Sequence, residues 1–203
     1  MKSRSKPDAA PVAMRVELQD ISPLIWRRIV VSNQSTLASL HNYLQWVFGW
    51  QDTHAHEFRV GRRCIGPQWW LAEIKGDQPD ISLEDEKRVS VASIVHEVGN
   101  RGSFEYLYDM GDDWVHRIVF EEVPAAWSKL ETRLPVCTAG ENACPPEDVG
   151  GPNGYEHFLQ CISDAKNTEH EDMLRWIGGV FDPKGFDLNR LNRDWRPSRR
   201  GVR

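Results

Sequence analysis

A chain of 203 residues with 40% hydrophobic content and nine tryptophans has ample material for a packed core, and its four scattered cysteines do not form a disulfide framework. No run approaches the roughly 18 apolar residues of a membrane span, and the opening MKSRSKPDAAPVAM lacks an apolar h-region, so a cytoplasmic protein with neither signal peptide nor anchor is expected. The net charge of −5 is uneven: residues 9–189 hold 16 bases against 28 acids, while the end carries Arg190, Arg193, Arg196, Arg199, Arg200 and Arg203. An acidic body repels a phosphate backbone, so nucleic-acid binding would run through that Arg-rich tail or a local patch.

In chain order, VAMRVELQ places Val12, Met14, Val16 and Leu18 on one side of a strand and Arg15, Glu17 and Gln19 on the other. A short turn leads to LIWRRIVV, residues 24–31, as its antiparallel partner. The period then changes. Leu37, Leu40, His41, Leu44, Val47 and Phe48 follow helical spacing, with Ser35 or Thr36 as cap and Gly49 as stop. HAHEFRV returns to period two, which projects His54, His56, Phe58 and Val60 to one face and Glu57 to the other. PQWWLAE reads as extended, so that one of Trp69 and Trp70 is exposed for stacking, and the acidic stretch 75–87 reads as a mobile surface loop.

SVASIVHEVG predicts a helix capped by Ser90 and ended by Gly99. A hairpin follows, with Phe104, Tyr106 and Tyr108 on one face of its first strand, Trp114, His116, Ile118 and Phe120 on one face of its second, and DMGDD as the turn. Beyond Val123 the composition becomes loop-rich, and helices are expected over 155–163, 169–177 and 188–195, the last capped by Asp187. The pattern predicts an α+β domain: a single-domain roll with a mixed or mostly antiparallel sheet, one long helix after the first strand pair, and helices at the C-terminal end. Residues 1–11 are expected to be a flexible tail, 12–195 the domain and 196–203 a basic tail.

Asp109, Asp112 and Asp113 suit a turn that needs φ > 0, since Asp bonds its own backbone. The same carboxylates, with Glu147 and Asp148 of PPEDVGG, could instead surround a hard divalent cation such as Mg²⁺. His54, His56 and His116, with Asp112, are candidate ligands for Zn²⁺, although H-x-H-E is not one of the specific zinc signatures. Cys137 and Cys144 lack knuckle spacing and read as a structural thiol pair. No nucleophile elbow, P-loop or dinucleotide fingerprint occurs in the sequence.

With ISPLIWRRIVV, LHNYLQWVFGW, HAHEF, YLYDMGDDWVH and ACPPEDVGGPNGY in this order, the chain resembles the plasmid pRiA4b ORF-3-like family, also described as a passenger domain of transposable elements. The resemblance implies a compact α+β roll over roughly residues 13–190 and a plasmid or mobile-element setting, without implying a reaction. Relatives often read ACPPEDCGG where this chain has Val149, so if a cysteine cluster binds metal in some of them, this chain has lost one ligand of it. The expected functional face joins His54, His56, Tyr106, Tyr108, Asp109, Asp112, Asp113, His116, Glu147, Asp148 and Tyr155, with Tyr155 and the PPED loop placed there by the resemblance. The expected role is a binding or accessory module with a protein partner. Alternatives are a metal-dependent hydrolase or nuclease using the same cleft, and nucleic-acid binding through the tail.

Overall fold

A computed structural model describes residues 9–76, 80–128 and 134–196. The expected N-terminal tail (residues 1–8 of it) and most of the C-terminal tail (residues 197–203) lie outside the described residues. Within the described part, β1 (Pro11–Leu18) pairs antiparallel with β2 (Trp26–Ser32), as their alternation predicts, and strand pairing begins one residue before the expected domain boundary. Helix α1 (Leu37–Phe48) follows. Thr36 accepts a hydrogen bond from the Ser39 N–H at 3.2 Å, and Gly49 closes the helix in the left-handed region at φ 88°.

Next come β3 (His56–Val60), β4 (Arg63–Gly66), α2 (Gln68–Glu73), β5 (Ser82–Asp85), α3 (Val91–Val98), β6 (Ser103–Tyr108), β7 (Trp114–Glu121), β8 (Val136–Glu141), α4 (Gly151–Ser163), α5 (His170–Ile177) and α6 (Leu188–Asp194). One sheet runs in the order β5-β4-β3-β6-β7-β1-β2-β8, antiparallel except for the parallel β4 and β5. The fold is the expected α+β class. On β1, Met14, Val16 and Leu18 enter the main core with α1, while Ala13 joins Val30 and Val136 in a small cluster covered by Val123, Trp127 and Leu134.

Three stretches differ from the sequence reading. PQWWLAE is helical rather than extended: Pro67 precedes good helix formers, Leu71 is buried, Trp69 is exposed and the Trp70 indole donates to Glu57 at 2.7 Å. The acidic stretch read as a loop contains β5, an edge strand that takes its register from main-chain pairing with β4 and from Arg63 bonded to Glu84 at 2.7 Å, so no apolar alternation marks it. The Pro- and Gly-rich segment contains β8, the opposite edge, which has a register shift at Arg28/Ile29 of β2. Helix α4 starts at Gly151, four residues before its expected start, because Pro152 suits a first helical turn.

Candidate functional site

The hairpin turn is built by Asp109. Its backbone sits at φ 59°, a left-handed conformation that Asp tolerates better than most residues, and its Oδ1 accepts from the Gly111 N–H at 2.9 Å and the Asp112 N–H at 3.3 Å. Its own N–H donates to the Ala55 carbonyl at 2.9 Å, which lays the 51–55 loop beside the turn. From the other side, Asp112 Oδ2 accepts from the Gly150 N–H at 3.0 Å and docks the PPEDVGG loop. The double glycine is a steric requirement: Gly150 and Gly151 have φ of 93° and 69°, and a Cβ on Gly151 would sit 2.5 Å from the Asp112 carbonyl oxygen.

These three segments bring His54, Asp109, Glu147 and Asp148 together. His54 Nε2 faces Asp148 Oδ1 at 3.1 Å, Asp109 Oδ2 at 3.5 Å and Glu147 Oε2 at 3.8 Å. Each inner carboxylate has one oxygen anchored and the other turned to the same point. Glu147 Oε1 accepts from the Gln51 N–H at 2.6 Å and the Tyr108 hydroxyl at 2.9 Å, whereas its Oε2 and His54 Nε2 are buried with no hydrogen-bond partner among the described residues. The side chains of Glu147 and Asp109 are 8% and 9% exposed, and Asp148, at 72%, forms the open rim. Burial, with the Glu147 carboxylate alongside, pushes the Tyr108 phenol up to about 12, so it stays protonated and donates. Among the described residues, the ion pairs of these three carboxylates all go to His54, so at most one positive charge faces three negative ones.

His56 belongs to a second cluster. The chain enters β3 only at His56, and Asp52 takes a left-handed φ of 55°, so the period-two projection of His54 and His56 to one face does not apply across this loop. The His56 ring stacks on His41 of α1, centroids 3.4 Å apart and planes within 5°. His41 Nε2 lies 3.0 Å from Asp52 Oδ1, and His56 Nε2 lies 2.8 Å from Glu86 Oε2. Behind them, Tyr106 OH lies 2.9 Å from His41 Nδ1 and accepts from the Gln45 amide at 2.9 Å, while the Gln45 carbonyl accepts from the Asp52 N–H at 2.7 Å. Burial holds His41 below the usual imidazole range against the opposing pull of Asp52. As expected, Glu57 turns away, to Trp70, Cys64 and Arg59.

His116 and Tyr155 stand apart from both clusters. His116 is fully buried; its Nδ1–H is shared between the carbonyls of Trp114 and Tyr106 at 3.1 and 3.2 Å, and its Nε2 accepts from the Trp50 indole at 3.3 Å. Tyr155 is a core residue packed against Phe158 and Phe181. Asp113 is exposed on the turn, and Asp112 ties two loops together instead of facing His54. All four cysteines are free, and Cys137 and Cys144 both lie near the buried Arg27 guanidinium. Sequence reasoning missed the second cluster, in which His41, Gln45, Asp52 and Glu86 surround His56 and Tyr106. A His and a Gln four apart inside an otherwise apolar stripe were the available signal.

No helix among the described residues is long and apolar enough to cross a membrane. The chain is 36% identical over 189 residues to the uncharacterized protein y4hQ of Sinorhizobium fredii, covering 91% of this chain and 90% of that one. It is similar to the crystal structure of MM3350, a protein of unknown function from Methanosarcina mazei Go1, with a TM-score of 0.75 and 33% identity over 89% of this chain and 96% of that one. Residues 11–190 match the family described as plasmid pRiA4b ORF-3-like protein, and the chain belongs to that family.

Proposed function

We propose that the protein is a binding module, accessory to plasmid or mobile-element functions, whose polar cleft takes a divalent cation at His54, Asp109, Glu147 and Asp148. The observation that carries this reading is the division of labour within the inner carboxylates. In each, one oxygen is held by donors of the fold, and the other is aimed at His54 Nε2. Fixed carboxylates with a single imidazole suit an oxygen-preferring ion that also accepts nitrogen, of which Mn²⁺ is the convenient probe. A cation there would offset the excess negative charge and give Glu147 Oε2, unpartnered among the described residues, a positive partner.

The test is Mn²⁺ titration of the full chain followed by electron paramagnetic resonance. One equivalent should bind, and Asp109→Asn or Glu147→Gln should weaken it by at least about tenfold while circular dichroism stays unchanged. Equal affinity in both variants would remove the reading. The metal-dependent hydrolase suggested by the sequence uses the same cation and would fall with it.

A further inference from the structure

We propose that His157, Cys161 and Glu169 form a second metal site, sharing no residue with the His54 cradle and suited to a thiolate-accepting ion of the Zn²⁺ class. His157 and Cys161 stand four residues apart in α4, which puts both side chains on one face of the helix. Glu169 directly precedes α5 and meets them across the turn between the two helices. His157 Nε2 lies 3.2 Å from Glu169 Oε2 and 3.5 Å from Cys161 Sγ, and one ligand atom from each of the three lies within 4.8 Å of the others. Tetrahedral Zn²⁺, with bonds of about 2.0 Å to nitrogen and oxygen and about 2.3 Å to sulfur, holds its N and O ligands about 3.3 Å apart and its N and S ligands about 3.5 Å apart. The separations already match.

The same ring nitrogen faces both partners. A cysteine nucleophile activated by histidine would need the thiol on one nitrogen and the carboxylate on the other, so the arrangement is that of ligands around a point and not of a catalytic relay. Cys161 Sγ is also 3.9 Å from Nδ1, so the sulfur lies beside the ring, and a turn of the ring about its Cβ–Cγ bond aims the Nε2 lone pair between sulfur and carboxylate. The His157 side chain, 53% exposed, has room for that turn, and since Cys161 is covered the same movement gives the ion its way in. The helix connection supports the two other ligands. Asn167 Oδ1 accepts from the Glu169 N–H at 2.8 Å, and the Asn167 side chain hydrogen-bonds the Cys161 sulfur, the kind of outer support that orients metal ligands. A thiolate, a carboxylate and one imidazole balance the charge of a divalent ion and leave its fourth position open. The thiolate sets this donor set apart from the oxygen-rich cradle.

The experiment uses the full chain carrying Asp109→Asn and Glu147→Gln, which removes the cradle, and measures Zn²⁺ by competition with a chromogenic chelator and Co²⁺ by absorption. One Zn²⁺ equivalent should bind, and Co²⁺ should show a thiolate-to-cobalt charge-transfer band. Adding Glu169→Gln, a change at a half-exposed side chain, should weaken Zn²⁺ by at least about tenfold, and adding Cys161→Ser should abolish the band. Absence of Zn²⁺ binding in the cradle-less chain would overturn the proposal, as would affinity unchanged by Glu169→Gln or a band that survives Cys161→Ser; should Cys161→Ser not fold, the Glu169 variant decides. Mn²⁺ lost with the cradle variants while Zn²⁺ persists, or the reverse, tells the failure of one site from the failure of the other.

Discussion

At the scale of single residues, His116 shows how a histidine on a predicted functional face can serve the core instead. Its Nδ1–H has only carbonyls to bond, and its Nε2 is used by Trp50, so the neutral ring is the form the fold accommodates. Burial lowers its pKa from 6.5 to about 4. A histidine depressed in the folded state binds its proton more readily when unfolded. Its contribution is therefore present above about pH 6.5, falls as the pH drops toward about 4, and amounts to about 3 kcal/mol across that window. Urea unfolding between pH 4 and 7 should show the decline, and His116→Leu should flatten it by that amount. A pH slope identical in the variant would contradict the assignment.

At the scale of elements, α1 was readable because Leu37, Leu40, Leu44, Val47 and Phe48 repeat at helical spacing between a Thr cap and a Gly stop, and all five are buried. Leu44→Ala, at a fully buried position, should cost about 2 to 5 kcal/mol in denaturant unfolding. The hairpin and its turn were equally legible. The edge strands β5 and β8 were not, since an edge satisfies its pairing through the backbone and need not alternate. Of the site, Tyr108, Asp109, Glu147 and Asp148 were identified as candidates from the turn chemistry and the resemblance together. The separation of His54 from His56 was hidden because it depends on the connection between α1 and β3, residues 49–55, with a left-handed Asp52, and no periodicity describes such a loop. Glu86 lay in a stretch whose acidity suggested only solvent. The junction between hairpin and PPED loop gives a sharper test. Gly151→Ala forces both a strained φ and a clash with the Asp112 carbonyl, so it should destabilise the chain by about 1 to 3 kcal/mol and weaken Mn²⁺ binding. Wild-type thermal unfolding and Mn²⁺ affinity in that variant would show that the loop docks elsewhere.

At the scale of the whole molecule, the two ends of the sheet are protected differently. The β5 edge carries charge, with Arg63 of β4 ion-paired to Glu84 and Glu97. The β8 edge is closed by a side chain: the Asn192 amide of α6 donates to the Cys137 carbonyl at 2.7 Å and its oxygen accepts from the Cys137 N–H at 3.0 Å, as a neighbouring strand would. Helix α6 is held there by Trp195 against Tyr43 and by the Trp46 indole donating to the Leu191 carbonyl at 3.0 Å. Asn192→Ala should cost about 1 to 3 kcal/mol through the two orphaned backbone groups and should raise self-association through the bared edge, measured by sedimentation. A strictly monomeric variant of unchanged stability would show that the edge needs no such cover.

The loop from Gln51 to Ala55 touches the cradle, the stacked histidines and the hairpin turn. Gln51 and His54 belong to the cradle, Asp52 to the stacked-histidine cluster, and Ala55 to the hairpin turn. Five consecutive residues therefore act as a shared tether. An ion held at His54 bears the entropic cost of stilling that tether, and Asp52, two residues away against His41, is stilled with it. An ion at the cradle should then slow hydrogen exchange at the Asp52 N–H, which donates to the Gln45 carbonyl, without any change of shape. In that sense the loop would pass the occupancy of the cradle on to the stacked histidines beside it.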